Sequence, residues 1–87
     1  MNKKHTLSKE QINSLVSLYS NGHFKEAISR IKSLNKEYPN VPFLFNLIGA
    51  CYKDLGQLKD AVRMFELAIK IQPNYVDAYY NLGGVLH

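Results

Sequence analysis

The sequence is poor in the residues that cross-link a chain or interrupt its helices. Its 87 residues include one cysteine, three prolines, five glycines and no tryptophan. Because a disulfide needs two cysteines, Cys51 cannot form one within the chain. A chain without internal disulfides suits a reducing compartment, and we expect a cytoplasmic location.

Long apolar segments are also missing. No stretch approaches the ~18 consecutive apolar residues that a membrane-spanning helix requires, so we expect no membrane partner. The basic first residues, MNKKHTLSKE, are not followed by an apolar segment and do not form a secretory signal. Apolar residues still make up 46% of the chain and charged residues 21%, a balance typical of a folded globular domain.

Positive charge exceeds negative charge by a small margin. Eleven Lys and Arg against seven Asp and Glu give a net charge of +4. Residues 1–41 carry seven of the basic and three of the acidic side chains, so the remainder, with four of each, is neutral. This basic part is either an ordinary solvated surface or a landing site for an acidic partner. Its lysines are scattered and no base-stacking module is visible, so we expect no nucleic acid partner.

The chain aligns with itself at an offset of 34 residues. The identical pairs are Gly22 and Gly56, Lys25 and Lys59, Ala27 and Ala61, Lys36 and Lys70, Pro39 and Pro73, Asn40 and Asn74, and Gly49 and Gly83. Their number alone is weak evidence, but they include glycines at turns, alanines on helix faces and prolines after helices. A fixed period of about 20 to 50 residues indicates a repeat architecture, and such units present surfaces for binding.

Apolar residues recur at helical spacing in five segments separated by short turns. Ser8 and Gln11 predict a capping box at the start of the first helix, and Gly22 predicts its end. Asn40 is expected to cap the third helix, with Pro42 in its first turn. No segment requires a strand. The predicted fold is all-α, with five helices joined into antiparallel helix-turn-helix hairpins.

Residues 42–75 resemble the tetratricopeptide repeat, a unit of two helices. The residues that carry the resemblance in this unit are Phe45, Ile48, Gly49, Tyr52, Ala61, Phe65, Ala68 and Pro73. In residues 76–87 they are Tyr79, Leu82, Gly83 and Leu86, and in residues 8–41 they are Ala27, Ile31, Leu34 and Pro39. Gln11 and Ser14 depart from the pattern, since they replace large apolar residues, and they suit a first repeat whose outer face meets water.

The resemblance implies a right-handed α-solenoid in a single domain, residues 1–87. Its units would be residues 8–41 and 42–75 and a half unit, residues 76–87, after an N-terminal tail, residues 1–7. In the family, the first helices of successive units line a concave groove. The groove residues that this implies are Lys9, Ile12, Val16, Tyr19, Phe43, Asn46, Lys53, Tyr80 and Asn81, with Ala50, Asp77, Gly84 and His87 at the remaining positions.

The groove residues also bear on ligand class. Family members that hold a C-terminal carboxylate carry Lys and Asn where this chain has Ile12 and Val16, so we do not expect chaperone-tail binding. Other members bond a peptide backbone with an asparagine at the position of Asn81, but Leu47 fills that position in the preceding unit. What remains is a mixed groove with three aromatic anchors and one lysine, namely Tyr19, Phe43, Tyr80 and Lys53. Alternatively, each is an ordinary half-exposed helix side chain.

No constellation of residues indicates catalysis. His5, His23 and His87 lack the spacing of metal ligands. Cys51 falls within a predicted helix and is interpreted as a small packing residue. Gly84 follows another glycine inside a helix and not in a phosphate-binding loop. We therefore expect no enzyme activity, no cofactor and no metal.

The sequence predicts a protein-interaction module that holds a peptide or a partner helix in its groove. Two alternatives stay open, because the chain stops after the first helix of its third unit. It is an N-terminal adaptor fragment of a larger enzyme, such as a sugar or sulfo transferase, or a repeat fragment that self-associates. Self-association would form a homo-oligomer through apolar residues of the last helix, namely Tyr79, Leu82, Val85 and Leu86.

Overall fold

The computed structural model describes residues 6–86, which form five α-helices and no strand. The helices are α1 (Lys9–Ser20), α2 (Phe24–Glu37), α3 (Pro42–Asp54), α4 (Leu58–Ile71) and α5 (Val76–Leu86). Each helix packs against the next along the chain, and α3 also contacts α5. The prediction of an all-α fold of five helices packed in sequence is confirmed. The first five residues of the predicted tail, including His5, and the groove residue His87 lie outside the described residues.

Local side-chain chemistry sets the first helix boundaries. The backbone N–H of Gln11 donates to Ser8 Oγ at 3.0 Å, and the backbone N–H of Ser8 donates to Gln11 Oε1 at 2.9 Å. This is the predicted capping box. The turns after α1 and α3 contain Gly22 and Gly56, whose φ angles are +79° and +80°. Side-chain-bearing residues rarely adopt this left-handed region, so glycine permits both turns without strain.

The predicted N-cap of α3 is wrong. Val41, not Asn40, occupies this position, and no side chain caps the helix. Val41 is extended, with φ −102° and ψ 107°, because the ring of the following Pro42 disfavours helical geometry in the residue before it. Pro42 then takes the first helical position, where its missing N–H costs nothing.

The core is centred on α3. Its largest cluster of buried residues is formed by Leu15, Ile31, Leu44, Leu47 and Ile48, drawn from α1, α2 and α3. More residues are buried on α3 than on any other helix, because α2, α4 and α5 all pack against it. Helix α3 is therefore the structural centre of the described chain.

Gly49 brings α3 and α4 close together. A Cβ atom at Gly49 would stand 2.6 Å from Cε1 of Phe65, a separation that real side chains do not tolerate. Phe65 is completely buried, so its ring cannot turn out into solvent to avoid the contact. Gly83 occupies the same position one repeat later, on α5, yet nothing lies within 4 Å of an added Cβ there. A close contact like that at Gly49 is therefore not formed at Gly83 within residues 6–86.

Candidate functional site

Seven of the predicted groove residues share a face with one another on their own helix, α1, α3 or α5. Helix residues three, four or seven apart share a face. This relation links Ile12, Val16 and Tyr19 on α1, Asn46 and Lys53 on α3, and Tyr80 and Gly84 on α5. We call the surface formed by these seven residues the groove face. The contacts described next connect its parts on α3 and α5.

Two asparagines join α3 to α5. Asn81 Nδ2 donates a hydrogen bond to Asn46 Oδ1 at 2.9 Å, in a partly buried position. Tyr75 lies beside the same contact, and burial raises the pKa of its hydroxyl. The negative charge of Asp77 raises this pKa further, whereas a hydrogen bond from Asn46 lowers it. The amide of Asn81, predicted to face a ligand, thus also fixes one groove helix against the next.

A cleft of about 460 Å³ opens between α3 and α5. It is lined by Lys53, Tyr79, Tyr80, Gly83 and Gly84, and we call it the α3–α5 cleft. Lys53 Nζ lies 4.0 Å from the position that a Cβ of Gly84 would occupy. A larger residue than glycine would compete with the ammonium for this space. Tyr79, which the sequence analysis assigned to self-association, thus also belongs to a cleft on the groove face.

The α1 part of the groove face is less available. The ring of Tyr19 packs against Phe24, with centroids 5.5 Å apart and a tilt of 59°. Burial, followed by a hydrogen bond to Asp54 and the charge of that carboxylate, raises the pKa of Tyr19 to about 12. Tyr19 is therefore held by neighbouring residues. Val16, at 40% exposure, is the open apolar residue of α1.

The remaining predicted residues differ in exposure. Phe43 is partly buried and packs against the core cluster, whereas Lys9 is exposed at the start of α1. Tyr80 is 81% exposed, which makes it the most accessible of the three predicted aromatic anchors. Sequence reasoning did not single out the cleft, whose open floor comes from Gly83 and Gly84. The signal was present, because a glycine pair inside a helix leaves a gap in its surface.

The outer residues of α5 are only partly covered. Leu86 is 67% exposed and Tyr79 50% exposed, while Leu82 and Val85 are half-buried. Ala78 is the one residue of this helix that is fully buried among those described. The four residues predicted to mediate self-association therefore retain apolar surface that residues 6–86 do not cover.

Cys51 is a packing residue, as predicted. It is completely buried, and burial together with the charge of Asp54 raises the pKa of its thiol to about 11. Few thiolates exist at neutral pH under these conditions. Within residues 6–86, no three His, Cys, Asp or Glu residues come together in a way that could hold a metal ion. No helix in that range combines the length and the apolar character of a membrane span.

Comparison with known proteins identifies related sequences. Residues 49–87 match a family model described as TPR repeat. The peroxisomal targeting signal receptor of Candida glabrata is 28% identical over 64 residues, which are 74% of this chain and 11% of the receptor. The chloroplastic tetratricopeptide repeat domain-containing protein PYG7 of Arabidopsis thaliana is 40% identical over 40 residues, which are 46% of this chain and 13% of that protein. The matches thus cover only a small part of each relative.

Proposed function

We propose that this chain, which belongs to the tetratricopeptide repeat family, binds a peptide or a helix of a partner protein on its groove face. Repeat modules of this kind are generally protein-protein interaction modules, because stacked units form extended concave surfaces. No residue constellation described above suits a reaction, whereas the groove face offers apolar, aromatic, amide and cationic groups. We further propose a cytoplasmic location, because a chain with a single cysteine forms no internal disulfide and suits a reducing compartment.

The observation that carries the proposal is the exposure of Tyr80. Its ring is 81% exposed, beside Lys53 in the cleft and one residue from the amide of Asn81. Aromatic side chains dominate binding energy at protein interfaces because they bury a large rigid surface at a small cost in conformational entropy. A rigid aromatic group surrounded by hydrogen-bonding groups is the composition expected at the centre of an interface.

The test is selection of binders from a library of random linear peptides, followed by affinity measurement. The library peptides are displayed through their C-termini, and a selected peptide is resynthesised with a fluorescent label. We expect Tyr80→Ala to weaken its binding by roughly 10-fold or more, since a hot-spot truncation costs about 2 kcal/mol. Val16→Asp should also weaken it, because it places a charge on the apolar α1 part of the groove face.

Leu58→Ala is the matched control. Leu58 lies on α4, a second helix of a unit, and is 47% exposed, so its truncation removes apolar surface away from the groove face. We expect affinity to stay unchanged, with all variants retaining the helical circular dichroism of the parent chain. A Leu58→Ala loss equal to that of Tyr80→Ala would place binding elsewhere. A library that yields no binder at all would also contradict the proposed function.

Self-association through α5 is a second candidate, favoured by the surroundings of Gly83. Gly49 accommodates the Phe65 ring of α4, whereas its repeat counterpart Gly83 has open space above it. The neighbouring Leu86 and Tyr79 are exposed. A second copy packed on this surface would cover apolar residues that otherwise contact water.

Light scattering during size-exclusion chromatography, over a range of protein concentrations, tests this second candidate. We expect a concentration-dependent dimer that is lost when Leu82 and Leu86 are replaced together by Lys. A dimer that survives the double replacement, or a monomer at every concentration, would exclude α5 as a self-association surface.

A further inference from the structure

We infer that the α3–α5 cleft receives a carboxylate side chain, Asp or Glu, from the bound partner segment. This inference rests on the proposed function, since it names the chemical class of residue that part of the groove face recognises. Three features support it: the electrostatic surroundings of Lys53, the shape left by two glycines, and the apolar residues of α1 at the positions where other family members hold a chain terminus.

Lys53 has a positive charge that the described residues leave unpaired. Within residues 6–86 the ion pair is Arg30 with Glu26, and no carboxylate lies within 4.0 Å of Lys53 Nζ. Lys53 is also partly buried, so an arriving carboxylate would meet it in surroundings less polar than water, where opposite charges attract more strongly. A partner carboxylate would therefore supply the missing counter-charge.

The acidic side chains nearest in sequence and on the facing helix lie to either side of the cleft. Asp54 is exposed next to Lys53 and lies near the Tyr19 hydroxyl on the α1 side, where its charge contributes to the raised pKa of Tyr19. Asp77 precedes Gly84 by seven residues on α5, which is about 10 Å along a helix. That distance is comparable with the Debye length of ~8 Å in physiological salt, so Asp77 interferes little with an acid at Lys53.

The shape of the cleft suits a carboxylate beside the ammonium. Neither Gly83 nor Gly84 has a side chain to occupy the space, and an added Cβ at Gly83 would meet nothing within 4 Å. Tyr79 and Tyr80 line the same cleft, and their rings offer surface for the methylene groups of Asp or Glu. Their hydroxyl groups can donate additional hydrogen bonds to a carboxylate.

The residues of α1 favour an acidic side chain within the segment over a terminal carboxylate. The net charge of +4 comes from residues 1–41 and attracts any acidic segment, whichever of its carboxylates enters the cleft. Among residues 6–86, Lys53 is the one cation that lines the α3–α5 cleft, which matches a single carboxylate. At the positions where family members carry Lys and Asn for a chain terminus, this chain has the apolar Ile12 and Val16. A terminal carboxylate therefore has no second donor pair on α1.

Peptides selected as described above supply the test. Because the library is fused at its C-terminus, side chains are the source of any carboxylate in the displayed segment. We expect Asp or Glu to be enriched at one position relative to the unselected library. An amidated synthetic peptide with that acid replaced by its amide should bind roughly 10-fold more weakly, a loss of about 1.4 kcal/mol.

A double-mutant cycle assigns the acid to Lys53. Lys53→Gln should weaken binding of the acidic peptide to the same extent as the amide replacement does. The amide peptide should bind Lys53→Gln and the parent chain with equal affinity. Lys59→Gln is the matched control, because it makes the same charge change at an exposed residue of α4. It should leave affinity unchanged. Circular dichroism confirms that each variant stays folded, and Gly84→Leu, which fills the floor of the cleft, provides a second, charge-neutral variant that should also weaken binding.

The outcomes separate the inference from the function on which it rests. If the selected peptides bind and lose affinity to Tyr80→Ala, either of two results would overturn the cleft assignment alone. One is the absence of acid enrichment, and the other is that the two losses in the double-mutant cycle are additive. A peptide affinity that Tyr80→Ala leaves unchanged, or the absence of any binder, would overturn the proposed function itself.

Discussion

Gly49 and Gly83 hold the same place in successive units but have different surroundings. At Gly49 an added Cβ would collide with the buried ring of Phe65, whereas at Gly83 it would meet open space. The same substitution should therefore have opposite effects at the two positions. The identity of a residue within a repeat does not determine its energetic role, which depends on what packs over it.

We expect Gly49→Ala to destabilise the chain by about 1–3 kcal/mol, because overpacking forces Phe65 or the backbone to move. Gly83→Ala should stabilise it by about 0.5–1 kcal/mol, since alanine loses less backbone entropy in a helix. Urea unfolding followed by circular dichroism measures both values. Equal effects of the two substitutions would contradict the close contact between α3 and α4.

Buried hydroxyl and thiol groups make stability sensitive to alkaline pH. Burial raises the pKa of Cys51 from 9.0 to about 11, and burial with Asp54 raises the pKa of Tyr19 from 10.0 to about 12. Because both pKa values are lower in the unfolded chain, the unfolded chain loses these protons at a lower pH than the folded chain does. Their stabilising contribution is complete below the unfolded values and is lost as the pH rises through the folded values.

We therefore expect the free energy of unfolding to fall as the pH rises through the range that these pKa values span. Urea unfolding over that range measures the fall. Cys51→Ala should remove the first part of the decline and Tyr19→Phe the later part. A decline that both variants retain in full would assign the alkaline sensitivity to other groups.

At the scale of helices, α3 is the element on which the others assemble. It contributes more buried residues than any other helix and carries the partly buried Asn46 and Lys53. Next to it lies a cavity of about 220 Å³ between α2, α3 and α4. The residues that line the cavity are Ile31, Lys32, Asn35, Leu44, Phe45, Ile48, Tyr52 and Met64.

Phe45 lines this cavity, and its ring is smaller than the indole ring of tryptophan. We expect Phe45→Trp to stabilise the chain by about 0.5–2 kcal/mol, because a larger ring fills space that is lined mainly by apolar groups. Phe45→Leu, which enlarges the cavity, should destabilise it. Thermal unfolding compares the three chains, and a lower midpoint for the tryptophan variant would show that the space cannot accept the indole ring.

The helices were largely predictable from sequence because their boundaries rest on local chemistry. Ser8 with Gln11 and Gly22 set their boundaries as expected, since each acts within one turn of backbone. Asn40 did not cap α3, because the steric effect of Pro42 on Val41 outweighed the capping preference of asparagine. Periodicity also placed the groove residues on the expected helices.

Side-chain partners between helices were less predictable. The hydrogen bond between Asn46 and Asn81 joins residues 35 positions apart, and no pattern in either helix indicates it. The position of Lys53 against Gly84 likewise depends on how α3 and α5 approach each other. Helical spacing gives the face on which a residue lies, but its rotamer and its contacts are decided by tertiary packing.

The whole molecule is elongated, with extents of 48 × 29 × 18 Å. Contacts occur mainly between helices that are neighbours in sequence, so the stability of each helix depends on those beside it. α3 and α4 contain most of the completely buried residues, whereas α5 buries Ala78 alone. Stability should therefore be distributed unevenly along the chain.

Native-state hydrogen exchange measures this distribution. We expect backbone amides of α3 and α4 to be the most protected and those of α5 to exchange through local opening at lower free energy. Phe65→Ala should reduce the protection of α3 and α4 together, since the ring lies between them. Uniform protection from α1 to α5 would instead indicate that the helices unfold as one cooperative unit.

Because the space above Gly83 is open, a further helix could be engineered to pack there. α5 has the backbone position of α3 one unit later, and α3 accepts α4 through the pairing of Gly49 with Phe65. A second copy of residues 57–75 joined after α5 would therefore present a duplicate of Phe65 to Gly83. Such a chain should unfold at a higher urea concentration than the parent. The added helix would pack on α5 through the same contact that joins α4 to α3, and each such interface between neighbours adds to the stability of a repeat array.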